Sequence, residues 1–516
     1  MRFVLSLLAA ATAFAAIPQP VRIDSGPLEG VPSPVSSVTA FEGIPYAAAP
    51  VGKLRWTPPQ PAPKWPVVRN ADRYMPACPQ NYMGPDSTAF FGDYEPKSED
   101  CLFLNVWTPA KSASDKLPVL VWIHGGGFRV GSGTERLHHG EHLAAKGVVL
   151  VTFNYRLGVF GFLAHPELTK ESEQHTSGNY GLMDQVAALL WVKRNIAAFG
   201  GDPNRVTIFG ESAGSGSVSL MQATPLAKGL FHGAVGESGG NFSGRNVVHL
   251  QAAEESGLKF AKAVGASSLA DLRSKPTDEL IATSVGSASP GGGAYPFTPI
   301  VDGYVIPEDV YLIFAKGAQN KVPVLVGSNA DEGTTLRIPP PTFEESSVQE
   351  QWKALYPPGS EPKSVSGGML WTATTWAALE TKTAGTKAYQ YYFSHGPPFP
   401  KGQPFARDVT KLGAHHSAEI IYVFNNLDIR TTRDWPYTAY DRKLADMMSS
   451  YWVNFAATGD PNGKGLPLWP VWTEQNTRVM EFGEQVHAIP LPRRPEVDFW
   501  DNTNLKPYRE KHRSSE

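Results

Sequence analysis

The segment Gly210–Gly214, with the sequence Gly-Glu-Ser-Ala-Gly, restricts the fold of this chain more than any other feature. It follows a run of β-branched and aromatic residues, Val206–Phe209, and precedes small residues, Ser215–Leu220, that are compatible with a helix. Glycines on both sides permit a sharp turn from strand to helix, and such a turn points a serine hydroxyl out of the sheet edge. The segment therefore predicts a nucleophile at Ser212.

The same pattern occurs again at Gly236–Gly240, so the pattern alone does not identify the nucleophile. This second match also follows an apolar run, but residues 241–246 are typical of a loop rather than a helix. We therefore predict that Ser212 is the nucleophile and that Ser238 supports it. The loop contains the single N-glycosylation pattern of the chain, at Asn241, which we expect to carry no glycan.

A glycine-rich turn follows another apolar segment. Pro118–Ile123 is predicted to be a short strand, and it is followed by His124 and the three glycines Gly125–Gly127. Such a turn can direct backbone N–H groups at a developing oxyanion, and glycine permits the backbone angles that this requires. A flexible linker is a weaker interpretation directly after a buried strand. A phosphate-binding loop would need a Lys-Ser or Lys-Thr pair after the glycines, and none follows.

Further motifs extend along nearly the whole chain in a fixed order. They are Phe41–Tyr46, Pro50–Trp56, Ser98–Val106, Asn154–Gly158, Gly178–Leu182, Asp184-Gln185 and Phe199–Pro203. Together with the glycine turn and the Ser212 segment, they make the chain resemble the type B carboxylesterases, a family of carboxylesterases, cholinesterases and para-nitrobenzyl esterases. The resemblance implies an α/β-hydrolase fold, with a twisted, mostly parallel central sheet flanked by helices and long insertions over the catalytic edge. It also implies hydrolysis of a small-molecule ester by a serine enzyme without metal or organic cofactor.

Composition limits the compartment and the partners. The length of 516 residues would suggest two or three domains, but no linker-like segment divides the chain, and we expect one catalytic domain at residues 17–516. The net charge of -3 argues against nucleic acid as a partner. Met1-Arg2 and the apolar run Phe3–Ala16 predict a signal peptide at residues 1–16. The run is shorter than the roughly 20 residues of a membrane span, so we expect a secreted or periplasmic protein without a stable membrane anchor.

The chain has two cysteines, Cys78 and Cys101. The resemblance places a disulfide between them, which an oxidising compartment would preserve, and two unpaired buried thiols are the alternative. The loop between them contains Phe91. In an ungapped alignment Phe91 occupies the position of the cation-binding tryptophan of cholinesterases. Since phenylalanine gives a cation a weaker face, we expect Phe91 to contact the ester and choline esters to have no advantage.

The acid of the site follows the serine along the chain in this fold. Val322–Gly327 is predicted to be a strand, and the loop after it contains both Asp331 and Glu332. The family's acid directly precedes a glycine, so the resemblance selects Glu332. Asp331 is expected to have a structural role, and Asp302 is expected to form a short turn.

The base is chosen from two adjacent histidines, His415 and His416. The family's histidine stands three residues before a glutamate, and this spacing selects His416 and Glu419. Ser417 replaces the glycine that usually follows the family's histidine, which affects the local backbone. His415 is expected to be a neighbour without a role in proton transfer.

The resemblance also implies supporting residues. Oxyanion donors are the backbone N–H groups of Gly126, Gly127 and Ala213. Glu211 and Glu419 are implied in the inner wall of the site, where Ser238 supports the histidine through Glu419. Structural ion pairs are implied for Arg55–Glu99 and Arg156–Asp184.

Another cluster of titratable residues lies near position 140 and contains His138, His139, Glu141 and His142. It lacks the His-Glu-x-x-His spacing of a zinc site, and we predict a solvated loop and helix start there and no metal site.

Two other functional interpretations remain open. Some relatives in this superfamily kept the fold, lost the triad and became binding proteins, whereas here every triad position has a competent residue type. The same chemistry could also serve amides, thioesters, lipids, feruloyl esters or polyesters. The large amphipathic lid of a dedicated lipase is not evident. The sequence predicts no oligomeric state.

Overall fold

The computed structural model describes residues 16–81, 96–242, 247–285, 295, 297–336, 338, 340–400, 408–428 and 435–513. The strands are β1 (Val21–Ile23), β2 (Gly26–Glu29), β3 (Val31–Pro32), β4 (Thr39–Pro45), β5 (Arg69–Asn70), β6 (Phe103–Thr108), β7 (Leu117–Ile123), β8 (Val149–Phe153), β9 (Gly201–Glu211), β10 (Gly233–Glu237), β11 (Val324–Asn329), β12 (Ala388–Phe393), β13 (Val479–Phe482) and β14 (Val486–Ile489). The α-helices are α1 (Glu141–Ala144), α2 (Gly158–Phe162), α3 (Pro166–Glu171), α4 (Tyr180–Asn195), α5 (Ala213–Ala223), α6 (Leu250–Ala263), α7 (Leu269–Ser274), α8 (Thr277–Val285), α9 (Val310–Ala315), α10 (Ser346–Leu355), α11 (Pro362–Leu379), α12 (Ile420–Val423), α13 (Ala439–Thr458), α14 (Arg494–Trp500) and α15 (Lys506–Arg513).

Within these residues, eleven strands form one sheet in the order β14-β13-β12-β11-β10-β9-β7-β8-β6-β4-β3, and β1, β2 and β5 form a small second sheet. From β8 to β13 each strand runs parallel to its neighbour in the sheet. Antiparallel strands extend both ends, with β6, β4 and β3 beyond β8 and β14 beyond β13. The predicted mostly parallel sheet is confirmed.

The central strands are apolar on both faces because helices cover both faces. In β7, Val119, Val121 and Ile123 pack into one core with α4, α5 and α11, whereas Leu120 and Trp122 pack into a second core with α13. Continuous apolar runs of this kind are typical of parallel strands that are buried on both sides. The two helical layers fix the sheet, so the loops at its edge start from rigid positions.

The strand order reverses at the carboxyl ends of β7 and β9. β8 lies on one side of β7, and the chain then returns to place β9 on the other side. Loops diverge where the order reverses, and open α/β sheets commonly bind ligands in the crevice that results. The glycine turn after β7 and the serine turn after β9 both leave the sheet at this point.

Cys78 and Cys101, which lie 23 positions apart in the sequence, form a disulfide, and both cysteines are buried. This confirms the pairing that the resemblance implied. The implied ion pairs are also present, at 2.5 Å for Arg55 Nη2 with Glu99 Oε1 and 2.8 Å for Arg156 Nη2 with Asp184 Oδ1. Both arginines are engaged in structural contacts.

We expect the double variant Cys78→Ser, Cys101→Ser to lose about 3 kcal/mol of unfolding free energy, because the open chain regains loop entropy when it unfolds. Denaturant titration of the variant and of the oxidised wild-type protein measures this difference. Wild-type protein that is unfolded with a reducing agent present provides the control and should match the variant. Equal midpoints for the variant and the oxidised protein would contradict the stabilising role of this bond.

Two predictions lie outside the described residues. Residues 1–15 contain nearly all of the predicted signal peptide, and Phe91 lies in the segment 82–95. In the part of the chain that the structure describes, none of the helices combines the length and the apolar character that a membrane span requires.

Candidate active site

Ser212 stands at the turn between β9 and α5, with φ 57° and ψ −121°, a conformation that L-residues rarely adopt. The turn depends on glycines. A Cβ on Gly214 would overlap the carbonyl oxygen of Ile123, and one on Gly210 would lie 2.6 Å from the same oxygen. The backbone N–H of Ser212 donates to the carbonyl of Glu237 at 2.9 Å. The predicted strand-to-helix turn is present, and it leaves the serine partly exposed.

The second Gly-Glu-Ser match has a different structure. Ser238 also has a positive φ of 54°, but it is fully buried, and residues 239–242, which directly follow it, form no helix. Its hydroxyl donates to Glu419 Oε1 at 3.4 Å. Asn241 directs its side-chain N–H inward, to Gly216 O at 2.8 Å. Ser238 is therefore a buried residue whose hydroxyl contacts Glu419.

The glycine turn begins directly against the serine turn. A Cβ on Gly125 would lie 2.6 Å from the carbonyl oxygen of Glu211 and 3.2 Å from Cβ of Ser212. Gly126 and Gly127 have φ values of 101° and 63°, which favour glycine. Among the described residues, no acceptor takes a hydrogen bond from the N–H groups of Gly126, Gly127 or Ala213.

His416 and Glu332 form a buried pair. Nδ1 of His416 lies 2.6 Å from Glu332 Oε2, and the backbone N–H of Asn329 donates to Glu332 Oε1 at 2.7 Å. Asp331 holds the two loops together, because its carboxylate accepts from the N–H of Ala414 at 3.0 Å. The structure thus pairs the histidine and the acid that the sequence selects and gives Asp331 the predicted structural role.

The other ring nitrogen of His416 lies close to Glu211. Nε2 lies 3.1 Å from Glu211 Oε1, and the hydroxyl of Ser417 donates to the same oxygen at 2.9 Å. Within the described residues, no hydrogen bond joins the hydroxyl of Ser212 to His416. Hydrogen bonds of this kind often form only when substrate is bound.

The carboxylates around His416 control its charge. Burial lowers the pKa of His416, but Glu211 and Glu332 outweigh burial and raise the pKa to about 9. Burial raises the pKa of Glu211 to about 8, against the attraction of His416. Since the groups interact strongly, they titrate as a unit rather than one by one. Burial thus favours the neutral form of Glu211, while the acidic groups around His416 favour its charged form.

Two further carboxylates complete the cluster below the serine. Glu419 accepts from Asn329 Nδ2 at 2.5 Å, and burial raises its pKa to about 7. Glu237 accepts from Trp452 Nε1 at 2.8 Å, and burial raises its pKa well above the ordinary value. Burial away from water favours the protonated form of a carboxyl group. The cluster therefore favours protonated carboxyl groups in the buried region next to Glu211.

The sequence interpretation missed Glu237 and the contact of Ser417 with Glu211. The sequence did contain a signal for Glu237. Each of the two Gly-Glu-Ser segments lies at the end of a strand, and the two strands are neighbours in the sheet. In the parallel pair of β9 and β10, Glu237 stands beside Glu211. Paired residues of parallel strands point to the same face of a sheet. The Ser417 contact had no comparable signal, because it joins loops that lie 206 residues apart in the chain.

The prediction of a solvated histidine cluster was wrong. His138 is 2% exposed and packs against the rings of Trp122 and Phe424, at 4.8 Å and 5.6 Å between centroids. The predicted loop and helix start are present as a 3₁₀ turn and α1. The burial was missed because Phe424 comes from a distant segment. Among the residues that the structure describes, no group of three or more His, Cys, Asp and Glu side chains could hold a metal ion.

Comparison with known proteins agrees with this geometry. A family model described as "Carboxylesterase family" matches residues 18–355 and 362–500. Fumonisin B1 esterase from Sphingopyxis macrogoltabida is 40% identical over 488 residues, which cover 90% of this chain and 86% of that protein. Carboxylesterase 1D from Rattus norvegicus is 35% identical over 539 residues, which cover 93% and 91%. A solved structure of a PNB esterase has a TM-score of 0.76 at 31% identity and covers 93% of this chain and 99% of its own.

These matches span nearly the whole chain and include proteins of both bacterial and mammalian origin. The solved neighbour shares the overall fold. The chain therefore belongs to the carboxylesterase family, has the α/β-hydrolase fold, and is a carboxylic ester hydrolase.

Proposed function

We propose that the protein hydrolyses small-molecule carboxylic esters through an acyl-enzyme on Ser212, with His416 as base and Glu332 as its acid partner. The observation that carries this proposal is the turn at Ser212, with φ 57°, whose neighbour Glu211 contacts the His416–Glu332 pair. Strained backbone of this kind concentrates at reacting residues.

In the proposed reaction, Oγ of Ser212 attacks the ester carbonyl carbon while its proton passes to Nε2 of His416. Nε2 must first be unprotonated, and Glu211 Oε1, at 3.1 Å, can take up its proton. Glu332 holds the imidazole in the correct tautomer and stabilises its charged form. The tetrahedral intermediate collapses when the bond to the alcohol breaks and His416 returns its proton to the leaving oxygen. Water then attacks the acyl group by the same proton path and restores Ser212.

The oxyanion of the intermediate is proposed to accept hydrogen bonds from the N–H groups of Gly126, Gly127 and Ala213. The placement of the glycine turn against Ser212 supports this assignment. Ala213 is the first residue of α5, where a backbone N–H has no partner within the helix. Each such donor contributes about 3 kcal/mol to the stability of the transition state.

The ester itself is proposed from the relatives. One relative at 40% identity is named a fumonisin B1 esterase, so fumonisin B1 joins simple aryl esters as a candidate substrate. Para-nitrophenyl esters of increasing acyl length, feruloyl esters, parabens, a triglyceride and fumonisin B1 form the screen that tests the proposal. Turnover of at least one ester class by the purified protein is expected, and no turnover of any of them would overturn the proposal. Preference for the triglyceride would favour a lipase instead.

Export is proposed on a separate observation. The disulfide of Cys78 with Cys101 suits an oxidising compartment. After expression, protein recovered outside the cytoplasm should have lost residues 1–16 when its intact mass is measured. Protein found only in the cytoplasm at full length would contradict export.

Phe91 remains our proposed contact for the ester, and the domain is proposed to span residues 17–516.

A further inference from the structure

Ser417 has a backbone conformation that favours glycine. Its φ is 69°, in the left-handed region that L-residues other than Asn and Asp seldom occupy. A serine in that conformation carries a steric cost that glycine would avoid. A side chain that is retained at such a cost in an active site is a candidate for a functional contact.

The side chain of Ser417 does make a specific contact. Its hydroxyl donates to Glu211 Oε1 at 2.9 Å, and that oxygen also faces Nε2 of His416 at 3.1 Å. The same oxygen of Glu211 therefore contacts the side chains of two consecutive residues, His416 and Ser417. Both Glu211 and His416 are buried, so water does not weaken these contacts as it would at the surface.

The proton between His416 and Glu211 can occupy either group. If Glu211 is ionised, the proton lies on Nε2 and the ring is charged. If Glu211 is neutral, it holds the proton, and Nε2 of the neutral ring can accept another proton. A hydroxyl that donates to Oε1 stabilises the ionised carboxylate. It therefore favours the charged ring, which cannot accept a proton from Ser212.

We propose that Ser417 is a positioning residue, whose hydroxyl favours the ionised Glu211 carboxylate beside Nε2 of His416 and so raises the pH at which His416 becomes a free base. This inference rests on the proposed ester hydrolysis at Ser212. Its consequence is that Ser417 determines the pH at which catalysis begins, without touching the substrate itself.

Other titratable groups surround this pair and are common to all the variants below. Glu332 faces Nδ1 of His416, while Glu419, directly before α12, and Glu237, at the end of β10, lie near Glu211. Tyr391 on β12 approaches Glu419 at 3.5 Å. Burial raises the pKa of Glu211, whereas the Ser417 hydroxyl lowers it, so removal of the hydroxyl should move the shared proton from His416 to Glu211.

The test uses two matched variants. Ser417→Ala removes the hydroxyl and keeps the Cβ at positive φ, while Ser417→Gly removes both. In each variant, the acid limb of the pH profile of kcat/KM for an aryl ester should move to lower pH by about one unit. This is the size expected when a carboxylate loses one hydrogen bond. Glycine avoids the steric cost of a positive φ, so Ser417→Gly should have a higher Tm than Ser417→Ala. The acid limb should shift by the same amount in both variants.

The effect of Ser417→Ala is also measured in protein that carries Glu211→Gln, which tests whether Ser417 acts through Glu211. Glu211→Gln alone should also move the limb to lower pH, and Ser417→Ala added to it should cause no further shift. An unchanged limb in both Ser417 variants, or the same shift in the Glu211→Gln background, would overturn the role of Ser417.

Failure of the proposed function is distinguishable from failure of this inference. If the wild-type protein hydrolyses no ester, the proposed function fails. NMR titration of labelled histidine still tests Ser417 in that case, because the His416 ring should titrate at lower pH in Ser417→Ala than in wild type. Identical His416 titrations in the two proteins would overturn the inference.

Discussion

Ser212→Ala should lower kcat for a para-nitrophenyl ester by about a million-fold, since the acyl-enzyme can no longer form and only binding and the oxyanion donors remain. The fold should be unaffected, because the hydroxyl of Ser212 makes no hydrogen bond to another described residue and the small side chain is partly exposed. Initial rates with and without the substitution measure the loss, and circular dichroism with Tm verifies the fold.

Ser238→Ala is the matched control for Ser212→Ala. It removes a hydroxyl from the same Gly-Glu-Ser-x-Gly pattern, and that hydroxyl makes a long 3.4 Å contact with Glu419. Measurable turnover should remain. Full activity in Ser212→Ala together with complete loss in Ser238→Ala would reverse the assignment of the nucleophile.

His416→Ala should be nearly as inactive as Ser212→Ala, and the double variant should be no worse than either one, because the two residues act in one proton transfer. Glu332→Gln should cost about ten-thousand-fold, because an amide at the 2.6 Å contact can select the wrong imidazole tautomer. The measurement is kcat/KM for the same aryl ester in the single and double variants.

His415→Gln is the control for His416→Ala. His415 is adjacent in the chain, and its Nδ1 contacts the carbonyl of His416 at 2.8 Å rather than an acidic side chain. Most of the activity should survive its replacement. Multiplicative losses in the Ser212 and His416 double variant, or a His415 variant as inactive as His416→Ala, would contradict the proposed base.

Local features of the site could be predicted from the sequence. The turn at Ser212 follows from glycines between an apolar strand and a run of small residues, and the structure places β9 and α5 there. The glycine turn after β7 follows from the same kind of local pattern. Both depend on steric rules that act over a few residues, so one sequence is sufficient to predict them.

Long-range contacts could not be predicted in the same way. Glu332 and His416 lie 84 residues apart, and only the family resemblance paired them. The contact of His416 with Glu211 depends on how the loop after β11 and the loop before α12 pack under β9, which local propensity does not encode. The burial of His138 was missed for the same reason, since Phe424 closes over it from another segment.

Mass spectrometry of the acyl-enzyme tests the central claim most directly. The protein is mixed with excess para-nitrophenyl acetate, quenched in acid within the burst of para-nitrophenol release and digested. We predict one acetyl group on the peptide that contains Ser212, and no adduct in Ser212→Ala protein that is treated in the same way. An acetyl group on the Ser238 peptide, or turnover without any covalent adduct at Ser212, would contradict the proposed mechanism.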